Sequence, residues 1–253
     1  AMLLRTLLES PDYELYAEEA TKLKDGILSL IEPDNSFRPW FFEPGYAYDK
    51  DYILTFYSGE ALLALVEYYN KTKDKEVLQK IIAVQDFYVD RYVDHLEENY
   101  YPAYVPWHTM SLNKLWKITK DPNYARAIFV LTDELLTMQD TTNFVGRFYN
   151  PATPQYGKPH TSSDGVYTEG LSYAYEIAKL TGDTKRMNTY AKALELALRN
   201  LESLQYTIEN TKNFPQPELA LGGFKLDSKR TGMRIDCTQH TMDAYLQIMR
   251  VFE

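Results

Sequence analysis

One turn occurs three times in this chain, as Thr72-Lys73-Asp74, Thr119-Lys120-Asp121 and Thr181-Gly182-Asp183. Around it, apolar residues recur at three- and four-residue spacing, as in Leu62, Leu65, Val66 and Tyr69, the periodicity of an amphipathic helix. In each copy the Asp stands where a helix N-cap is needed, its carboxylate accepting from backbone N–H groups that have no partner inside the helix. Pro122, directly after Asp121, suits the first position of a helix. The pattern is a helix, a short turn and a second helix, repeated over Gly59 to about Val93, Trp107 to about Met138, and Thr168 to about Leu204. A fourth unit opens at His240-Thr241-Met242, repeating His108-Thr109-Met110, and breaks off. A helix over about Tyr13 to Ile31 reads as the outer member of a further pair whose inner partner is missing or reduced to Met2–Leu8. Such repetition predicts an all-α chain of packed helix pairs.

Between the pairs run long links rich in Gly, Pro and aromatic residues. Each holds a short extended piece: Ser36-Phe37-Arg38-Pro39-Trp40, Tyr100-Tyr101-Pro102-Ala103-Tyr104, Gly146-Arg147-Phe148-Tyr149 and Gly222-Gly223-Phe224-Lys225-Leu226. Long links inside a compact helical domain tend to carry function. With short turns at one end of the pairs, all the long links fall on the same rim. One domain over residues 1–253 is expected, a size at which a helical fold buries ample core.

Composition narrows the function classes. A hydrophobic fraction of 45% with 25% charged residues is ordinary for a globular protein, and the longest apolar runs, such as Ala61–Val66, are too short to cross a bilayer. A net charge of -9 argues against nucleic acid as a partner, while leaving room for a local basic patch. Cys237 is the single cysteine, which excludes a disulfide framework and an all-cysteine zinc site. The 22 tyrosines offer flat apolar faces with polar tips, suited to sugars and equally to half-buried packing between helices. No secretory signal opens the sequence, and Ala1-Met2 reads as a cloning remnant ahead of a native methionine or of a piece of a longer protein, so the compartment stays open.

Counting back from the turn Asp places candidate residues in register. Glu60 and Glu169 each lie fourteen residues before it, His108 lies thirteen before, and His240 holds the His108 place in the last unit. All four are thereby expected in the first turn of an inner helix, beside the long links. A helix N-terminus favours carboxylates and disfavours protonated imidazole, so the histidines would stay neutral, as a proton acceptor must. Glu in a first turn is also ordinary capping chemistry.

Two clusters are richer than capping requires. Residues 162–170 gather Asp164, Tyr167 and Glu169 around two glycines, and Arg230, Arg234, Asp236, Cys237, Gln239 and His240 gather before the last helix. Arg234 and Asp236, alternating in an extended lead-in, form either a carboxylate-binding fork or a plain ion pair. Asp236, Cys237, His240 and His108 are mixed metal-ligand types, but no paired Cys or His spacing supports a metal centre, and none is expected. No phosphate-cradling glycine loop, nucleotide fingerprint or serine elbow is present, so no cofactor is expected either.

The hairpins, the Thr-Gly-Asp type turns and the Gly-Gly-Phe link resemble those of the α/α-toroid carbohydrate enzymes: six-hairpin glycosidases, sugar epimerases and toroidal polysaccharide lyases. The tail Arg234-Ile235-Asp236-Cys237-Thr238-Gln239-His240 is similar to the closing segment of glucuronyl epimerases, departing from it at Cys237, where a tyrosine is expected, and in a spacing to His240 one residue shorter. The resemblance implies an incomplete or short α/α toroid of about four to five hairpins with long rim loops, against six in a complete ring. It implies a cleft at the inner-helix rim, aromatic sugar platforms and acid/base side chains.

The expectation that follows is a glycan-processing enzyme, hydrolase, lyase or epimerase, acting on an oligosaccharide or polysaccharide. Glu169 or Asp164 would act as acid/base, His108 and His240 as proton-transfer partners, and Arg234, with Asp236 and Glu60, would hold substrate. Trp40, Trp107 and Tyr167 would be stacking platforms. The alternative is a non-catalytic helical-repeat module binding a glycan or a protein; either reading leaves room for a further domain in a longer chain.

Overall fold

The computed structural model describes residues 1–42 and 49–253. Helices α1 (Met2–Glu9), α2 (Ala17–Leu28), α3 (Lys50–Thr72), α4 (Lys75–Val89), α5 (Leu96–Asn99) and α6 (Tyr104–Thr119) are followed by α7 (Pro122–Leu136), α8 (Thr161–Thr181), α9 (Thr184–Ser203), α10 (Ile208–Thr211) and α11 (Ile235–Phe252). The fold class is all-α, built from helical hairpins. Among the described residues, extended structure is limited to single antiparallel bridges, Ile31 with Phe37, Gln139 with Phe148, Gln205 with Phe224 and Lys225 with Met233. Three of the four expected extended pieces therefore exist. The fourth does not, because Tyr104 already starts α6.

The repeated turn works as its residues require. Lys73, Lys120 and Gly182 have φ of 60°, 58° and 73°, the left-handed step that ends a helix. Thr72 and Thr119 hydroxyls accept from the Asp74 and Asp121 amides at 3.4 and 3.2 Å. Asp74 then accepts from the amides of Glu76 and Val77, Asp121 from Asn123 and Asp183 from Arg186, at 2.8–3.3 Å. Each cap stabilises its helix by about 1 kcal/mol, and the three turns make hairpins of α3 with α4, α6 with α7 and α8 with α9.

Contacts divide the chain into two compact units, Ala1–Leu131 and Thr132–Glu253. In the first, α3 packs along α6 over a core that includes Leu62, Leu63, Leu65, Met110 and Leu112, each at most 1% exposed. Glu67, 9% exposed, is held there by Arg5 of α1 at 2.8 Å and Lys114 of α6 at 3.1 Å, so a buried carboxylate is matched by two cations. The phenol of Tyr124 donates to Asp86 of α4 at 2.9 Å. All three tryptophans, Trp40, Trp107 and Trp116, belong to this unit.

In the second unit α8 packs along α11 and α9. Tyr190 of α9 donates to Asp133, at the end of α7, at 2.6 Å, the same tyrosine–aspartate tie between outer helices. Cys237, in the first turn of α11, is 0% exposed.

Candidate functional site

Where two inner helices touch, each unit uses a glycine. A Cβ on Gly59 would stand 2.5 Å from Trp107 Cβ and 2.9 Å from the amide nitrogen of His108, and one on Gly165 would stand 3.0 Å from His240 Cβ and 3.0 Å from the amide nitrogen of Thr241. The same atoms of the facing helix are met in both cases, so the crossings are equivalent: Gly59 corresponds to Gly165, and Trp107 to His240. This corrects the register drawn from the turns. Gly59 lies fifteen residues before Asp74 but Gly165 lies eighteen before Asp183, one helical turn more. Glu60 therefore corresponds to Val166, and the His-Thr-Met strings are offset by one residue. Nor does any of Glu60, His108, Glu169 and His240 sit in a first turn, since α3 begins at Lys50, α6 at Tyr104, α8 at Thr161 and α11 at Ile235.

The crossing register contrasts the two units. Four residues past the glycine, the first unit has Leu63 and the second Glu169; three past the contact residue, it has Met110 and the second Asp243. Leu63, Trp107 and Met110 are core residues at 0%, 5% and 0% exposure. The corresponding Glu169, His240 and Asp243 bring one ligand-type atom each to within 4.8 Å of one another. Glu169 Oε2 lies 3.4 Å from His240 Nδ1, with Glu169 buried and His240 half-buried. A hairpin fold is satisfied by apolar residues at these places, so the polar trio is not a requirement of the fold. One imidazole nitrogen and two carboxylates are donors suited to a divalent cation. Asp243 escaped the sequence reading, although its place three residues after His240 puts both on one helix face.

Asp164 lies five residues before Glu169 on α8, about 140° around the helix from it, and faces α9. It is 1% exposed and accepts from the Phe148 amide at 2.9 Å and from Asn200 Nδ2 at 3.0 Å. Burial pushes its carboxyl up to about 6, against the pull of those two bonds and of Arg147.

His108 is enclosed. It is 1% exposed and ringed by Tyr88, Tyr92 and Tyr104 at centroid distances of 5.2–6.2 Å. Its Nε2 lies 3.0 Å from Ser58 Oγ and its Nδ1 3.4 Å from Gln85 Nε2. Ser58 Oγ donates to the Leu54 carbonyl, and Gln85 Oε1 accepts from Ser111. That network assigns a neutral ring, with Nδ1 accepting and Nε2–H donating. Burial pulls its pKa down to about 3.

The remaining candidates are dispersed. Trp107 and Tyr167 are buried at 5% and 6% exposure, Trp107 against Gly59 and Tyr167 edge-on to Phe148 at 5.6 Å. Trp40 is half-buried in the link after α2, beside the exposed Phe41 and Phe42. Glu60 is half-buried in mid-α3. Arg234 and Asp236 pair with each other, Nε to Oδ1 at 3.0 Å and again through Nη2. Burial works against the charge of Asp236, but Arg234 holds its carboxyl below the usual range.

No protein-family model matches the sequence, and no curated protein matches it. A solved structure similar in fold is a glycoside hydrolase family 76 mannosidase from Bacteroides thetaiotaomicron VPI-5482, at 16% identity and a TM-score of 0.48, over 76% of this chain and 52% of that one. The chain thus spans about half the length of that enzyme.

Proposed function

We propose that this chain is a carbohydrate-active enzyme whose proton-transfer groups are Glu169 and His240. The observation that carries the reading is the replacement just described: Glu169, His240 and Asp243 stand where the first unit has Leu63, Trp107 and Met110 in its core. Glu169, contacting His240 Nδ1 at 3.4 Å, favours the tautomer with the proton on that nitrogen. In that tautomer Nε2 carries the lone pair, the form in which an imidazole takes up a proton. Asp243 adds a second carboxylate next to the first, the residue pairing that glycoside cleavage uses. His108, enclosed at 1% exposure, serves the core in this scheme.

The test is a panel of neutral and acidic oligosaccharides followed by three readouts. New reducing ends report hydrolysis, unsaturated product absorbance reports elimination, and solvent deuterium at a sugar carbon reports epimerisation. We expect turnover with one readout, and a loss of roughly a hundredfold or more in Glu169→Gln and in His240→Ala. Binding without turnover, or full turnover in both variants, would remove the proposal.

A further inference from the structure

On the α9-facing side of α8, a loop over residues 139–148 is tied down at many points. Asp140 accepts from the amides of Thr142, Asn143 and Phe144 at 2.8–2.9 Å. Its own amide donates to the Arg147 carbonyl, and the Gly146 amide donates back to Asp140, both at 2.8 Å. Gln139 Nε2 reaches the Ala193 carbonyl of α9 at 2.9 Å. Gly146, at φ +94°, lies so near α9 that a Cβ would stand 1.9 Å from the Leu196 carbonyl oxygen. Only glycine fits there. The backbone that carries Arg147 is therefore fixed in place.

Arg147 itself is 7% exposed and lies over the Phe144 ring at 4.8 Å. Its Nε stands 4.0 Å from Asp164 Oδ2, beyond hydrogen-bond reach, and that buried nitrogen has no hydrogen-bond partner. A guanidinium carries five N–H donors; the Asp164 carboxylate offsets the charge of this one, but enclosing it with even one donor unmet is costly. The side chain lines a cavity of about 380 Å³ together with Arg199, Asn200, Ser203, Ser228 and an apolar wall that includes Leu196.

We propose that this cavity binds a small organic carboxylate with a hydroxyl-bearing body, the chemistry of a sugar acid, and that Arg147 grips the carboxylate. The planar fork matches two carboxylate oxygens at once. Arg199, steadied by Glu195 at 2.7 Å, adds positive charge, while Asn200 and the two serine hydroxyls suit a polyol. The apolar wall disfavours a fully hydrated inorganic anion. This site lies on a different face of α8 from Glu169, and it stands or falls independently of the Glu169–His240 reading.

Titration calorimetry and thermal melts of the full chain with D-glucuronate, D-glucose and inorganic phosphate decide it. We expect D-glucuronate to bind at millimolar concentration or below and to raise the melting temperature, with glucose and phosphate at least about tenfold weaker. Arg147→Leu should lose D-glucuronate binding by about tenfold or more, as loss of a charged bidentate pair implies, and Arg147→Lys should fall between. Should Arg147→Leu not fold, Arg199→Ala at the exposed partner decides, with a severalfold loss expected. Absence of D-glucuronate binding, equal binding of glucose or phosphate, or unchanged affinity in the variants overturns the proposal.

Discussion

Asp164 gives the second unit a pH dependence of a definite sign. The unfolded carboxyl titrates near 3.8 and the folded one near 6, so between those values the folded chain keeps a proton that the unfolded chain has released. Stability from this group therefore falls as pH rises through that window and is level above it. The displacement corresponds to a penalty on the order of 3 kcal/mol. Asp164→Asn keeps an acceptor for the Phe148 amide, and its advantage over the unaltered chain should grow by that amount between pH 4 and pH 8 in urea denaturation. A constant difference would mean an ordinary titration. The sequence made Asp164 visible, as one acid in a crowded helix entrance. It did not reveal that Asp164 faces α9, because Asn200 and Phe148 approach it only through tertiary packing. Arg147 was seen only as part of a link; its significance arises from Asp140 and Gly146, which fix the loop against α9.

At the level of helices, the glycine crossings set what each unit can tolerate. Gly59→Ala places a methyl 2.5 Å from Trp107 Cβ and against backbone, so α3 and α6 must separate. Overpacking costs about 1–3 kcal/mol, against a gain in helix propensity of just under about 1 kcal/mol for alanine. We expect Gly59→Ala to destabilise by up to about 2 kcal/mol by urea denaturation. Gly165→Ala, where the closest approach is 3.0 Å, should be nearer neutral but should shift the His240 resonances by moving that ring from Glu169. Equal costs at both positions would contradict the geometry. The hairpins themselves were legible because turn chemistry is local: a threonine, a residue able to turn left-handed and a capping aspartate specify where helices stop and start. The point where two helices touch is not local. Counting from the turns thus misaligned Glu60 with Glu169, and a one-turn difference in α8 was hidden until the crossings fixed it.

Over the whole chain, the two units answer acid through different groups. In the first, His108 titrates near 6.5 when unfolded and near 3 when folded. Its contribution is present above 6.5 and is lost as pH falls, because the unfolded chain gains a proton the buried ring refuses. Tryptophan fluorescence reports this unit alone. Its unfolding midpoint should drop between pH 6.5 and 4, and the proton uptake accompanying the transition should be smaller by about one in His108→Gln. An unchanged slope would place the origin of the acid sensitivity elsewhere. The second unit has no tryptophan but holds the single, fully enclosed thiol, Cys237. The uneven placement of these residues gives this sequence an optical probe in one half and a chemical one in the other. Emission and thiol labelling, followed in the same sample without any added dye or mutation, can establish whether the two halves melt together or in sequence.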